Sequence, residues 1–203
     1  MAVRSGKYRG VPAEQRVAER RSRLLDATLQ VWADPEVTTT VTGICAAAGL
    51  SERYFYESFR NIDQALTAVL DQIAAEIEEA SSNAAERTEG DPVARVRASV
   101  LAFVELLTAQ PHKGRVAIIE AGAIPALRHR RTQLLRHFAH RSAEEARELL
   151  GLSPGNERFD EVAGLLFIGG MAELITAWLD GSLEVTSEEI VDSATKSFLG
   201  LYS

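Results

Sequence analysis

Apolar residues recur along this chain with a helical period almost throughout. Between about Ala13 and Asp34, residues Leu24, Leu25, Thr28, Val31 and Trp32 fall at i, i+1, i+4, i+7 and i+8. That is one stripe on a long first helix, and Asp34-Pro35 ends it. Thr38, Thr39 and Thr40 offer hydroxyls to cap a second helix over 41–48, which Gly49 stops. Ser51 is placed to cap a third, about Glu52 to Phe59, on which Phe55 and Phe59 are four apart and share an inward face with Leu50. A fourth helix begins at Asn61 or Asp63 and carries Leu66, Val69, Leu70, Ile73 and Ile77 toward SSNAAERTEGDP, a polar stretch that reads as a linker.

Pro92 opens the next helix, with Val96, Val100, Phe103, Val104 and Leu107 on its stripe, and it ends before Pro111. A short apolar segment around Val116 to Ile119 follows. Pro125 starts a long helix to about Leu150, closed by Gly151 and Pro154-Gly155. The segment from Phe159 to Leu179 is apolar nearly all round, and Asp180-Gly181 stops it. Thr186 or Ser187 caps a last amphipathic helix carrying Ile190, Val191, Ala194, Phe198 and Leu201. No stretch alternates as a strand does, and no repeat recurs, so the expected fold is all-α with about nine helices.

Composition changes this picture little: 203 residues, 46% hydrophobic and 25% charged, are those of a soluble globular protein with room for one or two domains. The single cysteine, Cys45, has no partner for an internal disulfide, and the first ten residues lack the apolar core of a signal peptide, so a cytoplasmic location is expected. Glu173 and two adjacent glycines interrupt the apolar run 162–179, which favours a helix inside protein over a membrane span.

Charge is more informative once divided. The net charge is -7, but residues 1–60 hold nine basic against seven acidic side chains, leaving 13 against 22 for the remainder. The excess is concentrated at the start, in Arg4, Lys7, Arg9, Arg16, Arg20, Arg21 and Arg23. A basic head on an acidic body is expected where one end alone approaches phosphates.

The second and third helices, with the glycine turn between them, have the composition of a helix-turn-helix, whose second helix enters the DNA major groove. Val41, Ile44, Leu50, Phe55 and Phe59 would hold the pair on the first helix, leaving Arg53 and Tyr54 near the leading end of the third. Arginine donates two hydrogen bonds to guanine, and tyrosine packs on a thymine methyl or bonds phosphate. The duller reading of Tyr54 is a core aromatic, and Cys45 reads as a small hydrophobe between helices.

TTVTGICAAAGLSERYFYESF, residues 39–59, resembles the helix-turn-helix of the TetR (tetracycline-repressor-like) family, and RSRLLDATLQVW before it is similar to that family's first helix. The likeness covers about residues 20 to 66; the rest is matched only by helix number and length. It implies a homodimeric transcriptional repressor, not an enzyme, that is released from a palindromic operator when a small molecule binds its C-terminal helices. On this likeness Thr40 and Tyr56 would contact phosphate, Arg53 and Tyr54 would face bases, and Ser51 would stand at the front of the reading helix. Two departures stand out: Arg53 where a small residue is common, and Ile62 where a lysine phosphate contact is common. Arg60 would replace that lysine, and Arg4, Lys7 and Arg9 would form a flexible arm (1–15) that contacts DNA or stays a plain tail. The domains would then be 16–66 for DNA and 67–203 for effector and dimerisation.

In the second part, the all-round apolar helix pairs with the last helix in a four-helix dimer interface, or else sits at the centre of a monomeric bundle. A largely apolar effector would lie among Phe103, Leu107, Ile118, Phe138, Phe167, Met171, Ile175 and Trp178, residues that could equally fill a solid core. The basic run Arg128 to Arg141 reads as a solvated face, with an anionic ligand such as a carboxylate or acyl thioester as the alternative. His137, His140 and Glu144 share one side of that helix, at metal-ligand spacing, but no further ligand accompanies them, and no cofactor or metal is expected. A helical-bundle enzyme would need a nucleophile with its base, a carboxylate pair or a phosphate loop, and none is evident. A scaffold without DNA binding is the weaker alternative.

Overall fold

A computed structural model describes residues 13–151 and 157–202; the expected arm with Arg4, Lys7 and Arg9 lies outside the described residues. Among the described residues there is no strand. The helices are α1 (Ala13–Ala33), α2 (Val41–Ala48), α3 (Glu52–Ser58), α4 (Ile62–Arg87), α5 (Pro92–Ala109), a composite α6 over 111–123, α7 (Arg128–Leu150), α8 (Glu157–Leu179) and α9 (Ser187–Leu201). Backbone contacts divide the chain into two compact units, with the boundary inside α4 between Asp71 and Gln72.

One expectation fails at the end of α4. The stretch read as a linker is helical through Arg87, because Ala84, Ala85, Glu86 and Arg87 are good helix formers and Ala85 is buried. The orphan carbonyls there find partners: Thr88 Oγ1 donates to the Ala84 carbonyl at 2.7 Å, and Arg95 Nε to that of Ala85 at 3.2 Å. The true break is 88–91, where Gly90 adopts φ 125° and Asp91 caps α5 by accepting from the Ala94 amide at 2.8 Å.

Composite α6 contains a π-helical stretch, Arg115–Glu120, between two short α-helical pieces. Its i→i+5 spacing stacks residues five apart, and Arg115 Nη2 accordingly meets Glu120 Oε1 at 2.9 Å. Lys113, at the start of α6, forms a partly buried ion pair with Glu76 of α4. Glu78, half a turn on, accepts from His137 Nε2 of α7 at 3.0 Å and lies 3.4 Å from Arg141 Nε.

In the second unit, α7 packs along α8, and α9 lies against α5 and α8. Its core contains Val96, Val104, Leu107, Ala146, Met171, Ile175, Ile190, Val191 and Phe198. A Cβ on Gly164 would sit 2.3 Å from the Ala139 carbonyl oxygen, so only glycine permits α8 this close to α7. Beside this crossing Arg147 and Asp160 form an ion pair tying the two helices together. Thr186 caps α9 in a reciprocal capping box with Glu189.

Helix α8 is long and apolar enough to cross a membrane by length and composition, yet only 22% of that window is buried inside the chain. The alternative of a helix at the centre of a monomeric bundle therefore accounts for one face alone. Phe159, Val162, Leu165 and Leu166 stand exposed, and among the described residues nothing beyond the helix's own neighbouring backbone lies within 4 Å of the Cβ positions of Gly169 or Gly170.

Tyr202, after α9, is buried with its hydroxyl unpartnered. Burial, and then the nearby Asp160 carboxylate, push its pKa from 10.0 up to about 12. The folded state resists ionisation, so its contribution is complete below pH 10 and is lost as pH rises toward 12. Urea unfolding between pH 9 and 12 should show a steeper alkaline loss for the natural protein than for Tyr202→Phe. At Gly164, valine should lower stability by about 1–3 kcal/mol through forced separation of α7 and α8, read in the same unfolding assay.

Candidate nucleic-acid interface

The first unit is built around two phenylalanines. Phe55 and Phe59 are 0% and 1% exposed and pack with Leu24, Ala27, Ile44, Cys45, Ala48 and Ala65, flanked by Val41, Leu50 and Ile62. Ring centroids of Phe55 and Phe59 are 5.4 Å apart. Because Phe55 on the seven-residue helix and Phe59 at its C-terminal cap turn to one side, Glu52, Arg53, Tyr56 and Glu57 fall on the other side and are exposed.

The turn before α3 is set by Gly49, which adopts φ 62° and ends α2 with its amide on the Ala46 carbonyl (3.1 Å), while the Leu50 amide reaches that of Cys45 (3.0 Å). Thr40 caps α2 as expected, accepting from the Gly43 amide at 3.1 Å; its hydroxyl proton stays available to a phosphate oxygen. Ser51 stands at the cap position of α3, but its backbone carbonyl carries the capping: Tyr54 and Phe55 amides reach it at 2.9 and 3.4 Å, and its side chain makes no cap bond. The exposed Ser51 hydroxyl is thus not committed to the helix. Across the turn, Thr42 Oγ1 donates to Glu52 Oε1 at 2.7 Å.

Arginines counted in the basic head serve the fold. Arg21 Nη1 donates to the Ser58 carbonyl at 2.9 Å and its guanidinium covers the Phe59 ring at 4.4 Å. Arg23 Nη2 donates to the Ala48 carbonyl at 2.6 Å, satisfying the end of α2. Arg20 lies 4.5 Å over the Tyr54 ring. No spacing rule reveals these contacts, since each spans 25 or more residues.

The anticipated site residues thus separate. Arg53 and Tyr56 project outward, at 84% side-chain and 56% residue exposure. Tyr54 is half-buried beneath Arg20, between the base-facing and the core reading. Ile62 is packed against the aromatic core, whereas Arg60 is exposed and its amide bonds Gln64 Oε1 at 2.7 Å, beside the Asn61 cap of α4. Burial, followed by the Glu52 carboxylate, raises the Cys45 thiol, which keeps it a neutral, inert packing group.

Of the expected effector residues, Leu107, Met171 and Ile175 belong to the core of the second unit, with Phe103, Ile118, Phe167 and Trp178 packed against it. Phe138 stands apart, half-buried, its ring 5.6 Å from that of His137. The side shared by His137, His140 and Glu144 is divided among ion pairs: His137 with Glu78, and His140 Nε2 with Glu144 Oε1 at 3.3 Å. Among the described residues no three His, Cys, Asp or Glu side chains are grouped to hold a metal.

No protein-family model matches the sequence, and no curated protein does. Solved structures do. The fatty acid degradation regulator FadR of Bacillus halodurans superposes with a TM-score of 0.72 at 18% identity, over 89% of this chain and 95% of that one. A TetR family transcription regulator from Marinobacter aquaeolei VT8 gives 0.61 at 23% identity, over 93% and 97%. The regulator FadR of Bacillus subtilis, solved with stearoyl-CoA, gives 0.69 at 16%, over 90% and 97%. The chain therefore has the all-α fold of these regulators along nearly its whole length.

If Arg21 and Arg23 act on the fold, replacing either with alanine should destabilise the first unit by about 1 kcal/mol through an unsatisfied carbonyl. Hydrogen exchange of the α2 and α3 amides would detect this.

Proposed function

We propose that the protein is a ligand-responsive DNA-binding transcriptional regulator acting as a cytoplasmic homodimer. The observation that carries this reading is the division of α3: Phe55 and Phe59 are sealed in the core while Arg53 and Tyr56 are presented to solvent. Arg53 then meets base edges, Thr40 and Tyr56 meet phosphates, Ser51 and Arg60 flank them, and Tyr54 packs at the protein side of the interface. The arm with Arg4, Lys7 and Arg9 supplies further contacts to the duplex.

The exposed stripe Phe159, Val162, Leu165 and Leu166 supports a symmetric contact through α8, joined by α9. Two-fold symmetry would carry the two reading helices onto half-sites about 34–36 Å apart, so the operator is palindromic. The apolar grouping of Phe103, Leu107, Ile118, Phe167, Met171, Ile175 and Trp178 supports a largely apolar effector, with half-buried Phe138 beside it in the proposed set. The stearoyl-CoA held by the Bacillus subtilis regulator makes a long acyl thioester the first compound to try. Its binding would favour a dimer whose reading helices are wrongly spaced, through α4, which runs through both units, and the operator would be released. The protein would thus act as a repressor.

Fluorescence anisotropy on duplexes flanking the protein's own gene tests this reading. Binding should be selective and should weaken at least about tenfold between 50 and 200 mM salt. Val162→Glu with Leu166→Glu, two exposed positions, should leave the fold intact but shift sedimentation from dimer to monomer and remove operator binding. A dimer that survives this pair of charges would exclude the α8 interface.

A further inference from the structure

We propose that Glu57 is the positioning residue that makes Arg53 select guanine, an inference that rests on α3 being the DNA-contacting helix. Arg53 Nε donates to Glu57 Oε1 at 3.0 Å, one turn further along the outward face of α3. Both side chains are in solvent, at 84% and 43% exposure, with the buried phenylalanines behind them.

Helix stability does not account for the pair. Exposed ion pairs one turn apart contribute little, and the favourable order places the acid before the base, the reverse of the order here. The short helix is already held by Phe55 and Phe59.

Recognition chemistry does account for it. A guanidinium has five N–H donors in a rigid fork. With Nε engaged by the carboxylate, the two terminal nitrogens remain as a parallel pair of donors. Guanine alone presents two adjacent acceptors, O6 and N7, in the major groove; adenine places an amino donor where O6 would be. The pair is also electrically neutral overall, which makes it a poor clamp for a phosphate and suits it to a base edge. Holding the long arginine side chain before DNA arrives lowers the ordering entropy lost on binding.

The test uses the full-length protein. Duplexes are selected from a randomised pool, and the enriched site is then remade with 7-deazaguanine, which lacks the N7 acceptor. The natural protein should enrich one guanine per half-site and lose about five- to a hundredfold in affinity on the modified duplex. Arg53→Ala should be insensitive to the modification. Glu57→Ala, which favours helix, should show at least a threefold smaller loss on the modified duplex at an unchanged melting temperature. Enriched sites without an Arg53-dependent guanine, or full sensitivity to 7-deazaguanine in Glu57→Ala, would overturn the assignment while leaving DNA binding in place. A protein that selects no duplex at all would overturn the DNA-binding reading and this one with it.

Discussion

Burial of Phe55 and Phe59 is the constraint from which the exposed face of α3, the proposed DNA-contacting surface, follows. Two phenylalanines one helical turn apart bring several kcal/mol of apolar burial to a helix of seven residues, about 3–5 kcal/mol each by the cost of truncating such side chains. So short a helix has almost no stability of its own. Its orientation is therefore set by where those rings go, and they go against Leu24 and Ile44. Everything opposite them must then face solvent, including the Arg53 and Glu57 pair. The α1 arginines reinforce the same orientation by capping carbonyls of α2 and α3 and by covering the Tyr54 and Phe59 rings.

The second unit obeys a different constraint, the approach of α8 to α7 at Gly164. A helix apolar on more than one face can bury only part of itself in a single chain. One face of α8 is used against α7 and α9, where the Arg147 and Asp160 pair fixes the crossing. The other face, from Phe159 to Leu166, carries exposed apolar side chains, which a second copy would cover in the proposed dimer. The seven apolar residues proposed for the effector lie in or against the same core, so ligand binding and core packing would share side chains.

Much of this was legible in the sequence. Helical periodicity gave the order of elements because each helix buries one stripe, and the turn chemistry of Thr40, Gly49, Pro92 and Thr186 marked ends correctly. The difference at 81–92 has a clear cause: its polar residues suggest a linker, but Ala84 to Arg87 favour helix, and half-buried Ser81, Ser82 and Asn83 are tolerated there. The π-helical turn at 115–120 has no periodic signature over six residues. At the candidate interface, the spacing of the phenylalanines points to Arg53, which is exposed, and to Tyr54, which is half-buried beneath Arg20, whereas Tyr56 enters only through the family resemblance. The roles of Arg20, Arg21 and Arg23 were not, since a charge count treats a guanidinium that caps a distant carbonyl like one free to meet phosphate.

The central claim is that the outward face of α3 enters duplex DNA twice per symmetric assembly. Hydroxyl-radical footprinting of the natural protein on its selected duplex tests it most directly. The account predicts two protected patches on one face of the duplex, about one helical turn apart, both lost in Arg53→Ala with Tyr56→Ala. A single patch, or protection that survives loss of both side chains, would contradict it.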